Sequence, residues 1–416
     1  MLSGLSMDLR PLRRSRDLRL LFGGAVLSQL GTAVVTVTAG LQVYRLTHSS
    51  LAVGGISGVA VVPLIAGVLA GGVAADAWDR RWLVIAAPAC VGLASAGLAV
   101  YAATGGTSLW VVYGLLAVSA GMAGLGGPAQ TAALPNLVGQ DLLPATFALS
   151  ATVRQLASLV GPAVGGLLVA QLGLTSGYAA AAALGAGCAL VVLGVRPLPP
   201  EGARIRVGLS AFVDGLRYAR RSALVIALML IDADATVFGM PQALFPALGL
   251  VTFHAGPTGV GLLYAAPAAG ALLGAATSGW VGSVRHAGRA VLAAVAVWGL
   301  AIAAVGVVPV LWAALGLLAL AGAADLVSEI LRNSLLQRSV PDQLRGRLSA
   351  LLLAQTNGAP ALGNLEAGTV ATLVTPGFSI ISGGLACVAG GVILGGLLPV
   401  LRHARLGPAP EPAPRG

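Results

Sequence analysis

Long apolar runs alternate with short polar segments along nearly the whole chain. Twelve runs are each long enough to cross a bilayer, which takes about 20 apolar residues in a helix. Their approximate limits are 20–44, 51–75, 82–104, 108–133, 146–171, 175–195, 222–248, 258–283, 287–308, 310–334, 347–373 and 377–401. Backbone in lipid must satisfy its own hydrogen bonds, so only helices or closed barrels span a membrane, and these runs are too long for barrel strands. The pattern predicts an all-α membrane protein with twelve transmembrane helices.

Composition supports this interpretation. The 416 residues are 57% hydrophobic and only 9% charged, whereas a soluble domain carries about 25% charged residues. Most of the surface must therefore face lipid. The 59 glycines are typical of helices that pack closely within a bilayer.

The positions of the basic residues predict the orientation. All 24 basic residues are Arg, and they cluster before the first run, in even-numbered connections and in the tail, while the other connections are nearly bare. Such clusters stay in the cytoplasm, which predicts a multi-pass protein of the bacterial inner membrane with both termini cytoplasmic. Because the clusters form no continuous basic face, the net charge of +10 does not indicate a nucleic-acid partner.

The polar segments divide the chain. Residues 1–19 are interpreted as a cytoplasmic N-terminal segment, 20–195 as a six-helix bundle and 222–401 as a second six-helix bundle. Between them, 196–221 has a Pro-rich start and then the pattern of an amphipathic helix lying on the membrane surface. Residues 402–416 are expected to form a disordered cytoplasmic tail.

Matching polar segments in the two halves indicate an internal repeat. Residues 130–150 and 335–355 both have a Gln shortly before a Pro, an Asn or Asp directly after it and then a helix. The segments 71–84 and 278–292 likewise follow the second and eighth runs. Transporters use such repeats to rock two pseudo-symmetric bundles about a central site.

A loop after the second run resembles the loop motif of the major facilitator superfamily. Its candidate gating residues are Gly72, Asp76, Asp79, Arg80 and Arg81. The glycine allows two helices to approach, Asp76 can accept from a neighbouring helix N-terminus, and the Arg residues can pair with carboxylates. The position directly after Asp76, where this motif usually has a basic residue, is occupied by Ala77. The alternative is a basic loop that only sets orientation.

A small-residue segment in the fifth run forms a second motif. Gly161, Pro162, Gly165 and Gly166 resemble the antiporter motif of exporters in the same superfamily. Proline removes a backbone hydrogen bond and the glycines permit a kink and close packing. The motif favours export over import; the alternative is ordinary small-residue packing.

Further blocks narrow the resemblance. Residues 46–55, 153–168, 260–279, 335–355 and 373–379 together are similar to the enterobactin-exporter group of the major facilitator superfamily, which is close to the third drug:proton antiporter group. The resemblance implies export of a siderophore or similar amphipathic molecule by proton antiport, with alternating access and a monomeric fold. A broad multidrug exporter is the alternative.

Acidic residues inside the runs are candidates for proton coupling. An ionisable group in the hydrocarbon is costly and usually faces a cavity where it works. The candidates are Asp232, Asp234, Asp325 and Glu366. Either Asp of the first pair is alternatively hydrated near a helix end. Glu329 is expected to pair with Arg332 or Arg338 rather than to couple.

Polar residues near these motifs are candidates for a substrate cavity: Arg154, Gln155, Gln355 and Asn357. Arg154 would hold an anionic group of the substrate, or it would pair with a carboxylate across the bundle. With no Lys, a phosphate-binding loop is excluded. The histidines lie at loops or ends and the three cysteines lie singly in apolar runs, so no metal, no cofactor and no enzyme activity is expected.

Overall fold

The computed structural model describes residues 8–199, 216–220, 222–340 and 342–406. These residues form twelve long helices and short helical turns, and no strand occurs among them. The long helices are α1 Arg16–Thr47, α2 Ser50–Ala77, α3 Arg80–Ala103, α4 Leu109–Leu137, α5 Leu143–Leu172, α6 Leu174–Val192, α7 Ala223–Phe238, α8 Gly256–Ala276, α9 Ala287–Val305, α10 Leu311–Ser339, α11 Asp342–Leu373 and α12 Pro376–Leu397. The predicted all-helical fold is confirmed.

Hydroxyl side chains at the connections begin several helices. Ser15, Ser49 and Ser222 each accept a hydrogen bond from the backbone N–H three residues ahead, at the starts of α1, α2 and α7. These N-caps satisfy donors that a helix start leaves without a partner. Gly173 ends α5 with φ of 84°, a conformation that glycine adopts without strain.

Eleven helical segments in the described part of the chain are long and apolar enough to cross a membrane, one of them being α7 together with its continuation to Thr252. The remaining long helix, α11, is 32 residues long but carries Gln355, Asn357, Asn364 and Glu366 within its apolar run. Polar groups at this depth are tolerated when they face other helices or a cavity instead of lipid. The composition of α11 therefore marks it as an inner helix.

The helices pack as two equivalent sets of six. In the first half α1 contacts α5 and α6, α3 contacts α4 and α6, and α2 contacts α4. In the second half every one of these contacts recurs six helices later, from α7 with α11 and α12 to α8 with α10. The predicted pair of pseudo-symmetric six-helix bundles is confirmed.

Two helix pairs join the halves, α2 with α11 and α5 with α8. Because the helices alternate in direction, the chain termini lie on one side, called here the terminal face, and the other side is the opposite face. Gly166 of α5 lies against the Pro257 carbonyl and Gly261 of α8, and Gly368 of α11 lies against Leu51 of α2. These contacts lie in the half of each helix nearer the opposite face.

Helix α7 is interrupted where the sequence predicted a continuous helix over 222–248. It ends at Phe238, and the chain continues as a turn at Gln242–Leu244, a short helix at Phe245–Ala247 and a π-turn at Leu248–Thr252. Pro241 lacks the N–H that would continue the helix. The break lies between the two halves, since its turn contacts α2 and α11.

Parts of the predicted organisation fall on residues that the structure does not describe. The amphipathic helix predicted within 196–221 lies largely outside the described residues, as does the tail from residue 407 and the first seven residues. The boundaries of the five predicted segments stay predictions.

Candidate functional site

A buried ion pair joins α7 to α10. The Arg332 guanidinium lies 2.6 Å from one oxygen of Asp232, and Gln355 of α11 donates to the other oxygen at 2.7 Å. The Gln355 amide also donates to the Met229 carbonyl at 2.9 Å, and Arg332 donates to the Ser328 hydroxyl at 3.0 Å. Three helices of the second half therefore meet in one polar network.

Burial makes this network costly to disrupt. The Arg332 side chain is 9% exposed and that of Asp232 is 24% exposed. A buried charge that loses its partner is strongly destabilising, so Arg332 needs a carboxylate in reach. The sequence suggested that Arg332 forms an ion pair with Glu329. In the structure its ion-pair partner is Asp232, which reaches Arg332 from another helix.

The ion pair borders a cavity of about 280 Å³ inside the second half. Asp325, Glu329 and Arg332 lie on the lining of this cavity at positions i, i+4 and i+7 of α10, which share one helix face. With Asp232 the cavity has three carboxylates and one guanidinium. Its other lining residues are Leu228, Met229, Thr236, Met240, Trp298, Asn333, Leu336, Leu352, Thr356 and Pro360.

The other two acidic candidates lie elsewhere. Asp234 is two residues from Asp232 and so points about 200° away around the helix; its carboxylate lies against Gly390 of α12, and one oxygen is buried with no hydrogen-bond partner. Glu366 is half-buried and lies about 16 Å along α11 from Gln355. The structure thus brings Asp232 and Asp325 together but not Asp234 or Glu366.

Three cavities follow one another along α1 and α4. The first, about 240 Å³, lies near the terminal face and includes Arg154. It shares Gln29 and Gln130 with a second of about 220 Å³. The second shares Thr32 with a third of about 260 Å³ between the halves. The shared walls indicate one path from the terminal face to the contact between the bundles.

The cavity candidates differ in their surroundings. Arg154 is exposed, and no ion pair to it occurs among the described residues, which favours its availability to a ligand over a structural pair. The Gln155 amide donates to the Ala268 carbonyl of α8 at 3.2 Å and so links the halves. Asn357 is half-buried on α11.

The loop motif is held within the first half. Asp79 caps α3 and accepts from the Leu198 N–H at 2.8 Å. Buried Arg80 donates to the Ala132 carbonyl at 2.9 Å and Arg81 to the Leu193 carbonyl at 2.6 Å. In this conformation the Arg partners are thus backbone carbonyls, not the expected carboxylates.

The glycine of the loop motif is shifted from the expected position. Gly71, one residue before the candidate Gly72, lies directly against Leu125 of α4, as Gly67 does against Gly121 one turn earlier. Gly72 is half-buried and Asp76 is exposed at the terminal face. Spacing of four places Gly67 and Gly71 on one face of α2, which is why they make this contact.

The small-residue motif of α5 serves two neighbours. Gly161 and Gly165 lie against Ala33 and Val34 of α1, while Gly166 and the Pro162 carbonyl meet Gly261 of α8. The helix continues through Pro162. The motif therefore lets α5 approach both its own bundle and the other half.

Several polar residues at the break of α7 were missed by the sequence reasoning. Trp298, Tyr264 and Asn364 each bind a backbone group of the broken segment, and Gln242 lines the cavity between the halves. Gly239 and Pro241 inside an apolar run were the available signal, since both interrupt helices.

Known proteins resemble this chain over nearly its whole length. Residues 6–407 match the family model described as transmembrane secretion effector. The enterobactin exporter EntS of Citrobacter koseri is 30% identical over 410 residues, covering 99% of this chain and 98% of that protein. The Escherichia coli K12 protein of the same name is 30% identical over 402 residues, covering 97% and 96%.

Solved structures share the fold at low identity. A POT family transporter in complex with 5-aminolevulinic acid is 13% identical with a TM-score of 0.75, covering 93% of this chain and 97% of that one. The nucleoside transporter NupG is 14% identical with a TM-score of 0.69, covering 93% and 99%.

Proposed function

Because the chain belongs to the transmembrane secretion effector family of the major facilitator superfamily, and so is a transporter and not an enzyme, we propose that it exports a siderophore or similar amphipathic molecule in exchange for protons. The substrate part is supported by the relatives named enterobactin exporters. The observation that carries the coupling part is the buried Asp232–Arg332 pair beside a cavity, since ionisable groups at membrane depth usually mark ion or substrate pathways.

The cavity allows Arg332 a choice of partner. Asp325 lies on the same face of α10, two turns before Arg332, and both line the cavity. A proton on Asp232 removes the charge that holds Arg332 and leaves the guanidinium to Asp325. Such an exchange moves α7 relative to α10 and ties proton binding to helix position.

Alternating access is supported by the contacts between the halves. They lie toward the opposite face, so the described conformation is closed there. With both termini cytoplasmic, as the Arg distribution predicts, the closed face is periplasmic and the path past Arg154 begins at the cytoplasm. The protein then works as a monomer in the bacterial inner membrane, loading substrate from the cytoplasm.

The two motifs receive separate roles in this cycle. Asp79, Arg80 and Arg81 tie α2, α3, α4 and the segment after α6 together at the terminal face, so the first half moves as one body. Gly161, Pro162, Gly165 and Gly166 permit α5 to pack on α1 and α8 and act as the pivot between the halves.

The test is transport by purified protein in proteoliposomes with a trapped pH indicator. Iron-free enterobactin added outside should enter the vesicles through protein molecules whose cytoplasmic side faces outward. Protons should leave the vesicle interior as enterobactin accumulates. Uptake without any pH change would overturn proton antiport, and absence of uptake would overturn the siderophore assignment.

A cationic drug is the second candidate substrate. Asp325 and Glu329 have no ion-pair partner among the described residues, and their cavity is also lined by Met229, Met240 and Trp298. An amphipathic cation matches this combination of carboxylates and apolar groups. Ethidium transport by the same vesicles, with enterobactin ignored, would favour a broad drug exporter.

A further inference from the structure

The break in α7 leaves backbone groups that three side chains bind. Trp298 of α9 donates from Nε1 to the Gly239 carbonyl at 2.9 Å. The Tyr264 hydroxyl of α8 donates to the Gln242 carbonyl at 3.0 Å. The Ala243 N–H donates to Oδ1 of Asn364 on α11 at 2.9 Å. Non-helical backbone at membrane depth persists only where such partners exist, so helices α8, α9 and α11 together hold this segment in place.

These three side chains form a clamp on the backbone that carries the half-exposed side-chain amide of Gln242. The clamp is defined as Trp298, Tyr264 and Asn364. Two of its bonds act on Gln242 and its neighbour Ala243, which fixes the backbone from which the Gln242 side chain projects. The Gln242 amide itself makes no hydrogen bond to any of the described residues and is half-exposed.

Gln242 lies between two cavities of different character. On one side is the cavity of about 260 Å³ between the halves, which has no charged lining residue in the described chain and takes its polar groups from side chains such as Thr36, Ser57 and Ser119. On the other side is a narrow cavity that includes Asp325. A ligand in the first cavity is therefore next to the turn that carries Gln242, and this turn separates the first cavity from the one that includes Asp325.

The ordinary alternative is that Gln242 binds water and has no other role. An amide that only binds water needs no fixed backbone, however, and here Tyr264 and the buried Asn364 bind the backbone at Gln242 and Ala243. Asn364 also donates to Ser57 of the first half at 3.1 Å, so the clamp is part of the contact between the bundles. A hydrogen-bonding side chain at this position would contact a ligand at the interface between the two halves.

We infer that Gln242 determines specificity by hydrogen bonding to an uncharged polar group of the transported molecule, such as a hydroxyl or an amide, and that the clamp positions it. This inference rests on the proposed transport function. It assigns the charged part of any substrate to other regions of the path, such as that of Arg154, because the cavity between the halves has only neutral lining residues in the described chain.

The direct test uses Gln242→Ala in the same vesicles with iron-free enterobactin and ethidium. For whichever compound the unaltered protein transports, the half-saturating concentration should rise about fivefold with the maximal rate nearly unchanged, as loss of one neutral hydrogen bond implies. Gln171→Ala, which removes an exposed amide outside these cavities, should change neither value. An unchanged half-saturating concentration in Gln242→Ala would overturn the inference.

A second variant tests the positioning role. Tyr264→Phe deletes only the hydroxyl bound to the Gln242 carbonyl and should also raise the half-saturating concentration. In the Gln242→Ala background the same change should have no further effect, because no amide remains to be positioned. Additive effects would show a merely structural tyrosine and would overturn the clamp.

The two proposals fail in different ways. If enterobactin is not transported but ethidium is, the siderophore assignment is wrong while the role of Gln242 is still measured with ethidium. If enterobactin is transported with the same half-saturating concentration in both Gln242→Ala and Gln171→Ala, the proposed function stands and the role of Gln242 is wrong.

Discussion

At the residue scale, the charge balance of the second-half cavity depends on Arg332. It pairs with Asp232 and leaves Asp325 and Glu329 without an ion-pair partner among the described residues. Had Arg332 paired within its own helix, as its spacing from Glu329 suggests, Asp232 would be a lone buried carboxylate. One contact between helices thus decides which acid of this cavity pairs with the guanidinium.

Substitution of Asp232 tests this balance. Asp232→Asn should reduce the rate of transport driven by a pH gradient at least tenfold, because the carboxylate proposed to bind the proton is gone. Exchange of labelled for unlabelled substrate without a gradient should persist. Both modes are measured in proteoliposomes. Asp234→Asn is the matched control, since that carboxylate faces α12 and should leave both modes intact. Equal losses in the two variants would contradict the assignment.

At the element scale, α5 and α11 are equivalent helices with different contacts at equivalent positions. Gly165 of α5 packs on α1 as Gly363 of α11 packs on α7, and Gly166 meets α8 as Asn364 meets Gly54 of α2. At these equivalent positions the first contact between the halves is therefore small-residue packing, while the second adds the hydrogen bond between the Asn364 and Ser57 side chains. We expect the two contacts to resist separation unequally.

Glycine substitution tests the packing contact. In Gly166→Ala the added Cβ would lie 2.6 Å from the Pro257 oxygen and 2.8 Å from Cα of Gly261, so α5 and α8 must separate. The unfolding midpoint of the purified protein should fall by several degrees. Gly114→Ala on α4 is the control, because its Cβ meets nothing within 4 Å and alanine favours the helix by up to about 1 kcal/mol. A fall in both variants would contradict this explanation.

At the scale of the whole molecule, the proposed closure of the opposite face would depend on both helix pairs that join the halves, α2 with α11 and α5 with α8. The bond from the Asn364 amide to the Ser57 hydroxyl joins two side chains across the α2–α11 contact. Removal of that hydroxyl leaves the Asn364 bond to Ala243 within the second half. In the proposed alternating-access cycle the Asn364–Ser57 bond must break when this face opens, so the balance between closed and open arrangements should respond to it.

Ser57→Ala should shift the balance toward an open face by about fivefold, the effect of one neutral hydrogen bond. Spin labels at Thr107 and Val307, both exposed at the opposite face, would report a larger share of long distances in a variant without its native cysteines. Thr369→Ala, which loses a hydroxyl bound only within its own helix, should leave the distances unchanged. The same result in both variants would rule out a specific link.

The local sequence was sufficient for the number and order of the long helices, but not for all of their limits. Apolar runs and the matching polar segments between them are local features of the chain, so they predicted twelve helices in two related sets. The interruption of α7 was missed, because Gly239 and Pro241 also occur in continuous membrane helices whose neighbours supply the missing partners.

Which side chains meet was decided only by tertiary packing. Asp232 and Asp234 are indistinguishable in an apolar run, yet the rotation of α7 about its axis gives one to Arg332 and the other to Gly390. The same holds for Gln242 and the clamp, whose three members come from the separate helices α8, α9 and α11. Sequence by itself determined that this protein crosses the membrane as two equivalent bundles, and the packing of those bundles decided where its polar groups converge, because helix rotation depends on contacts between segments that no local pattern records.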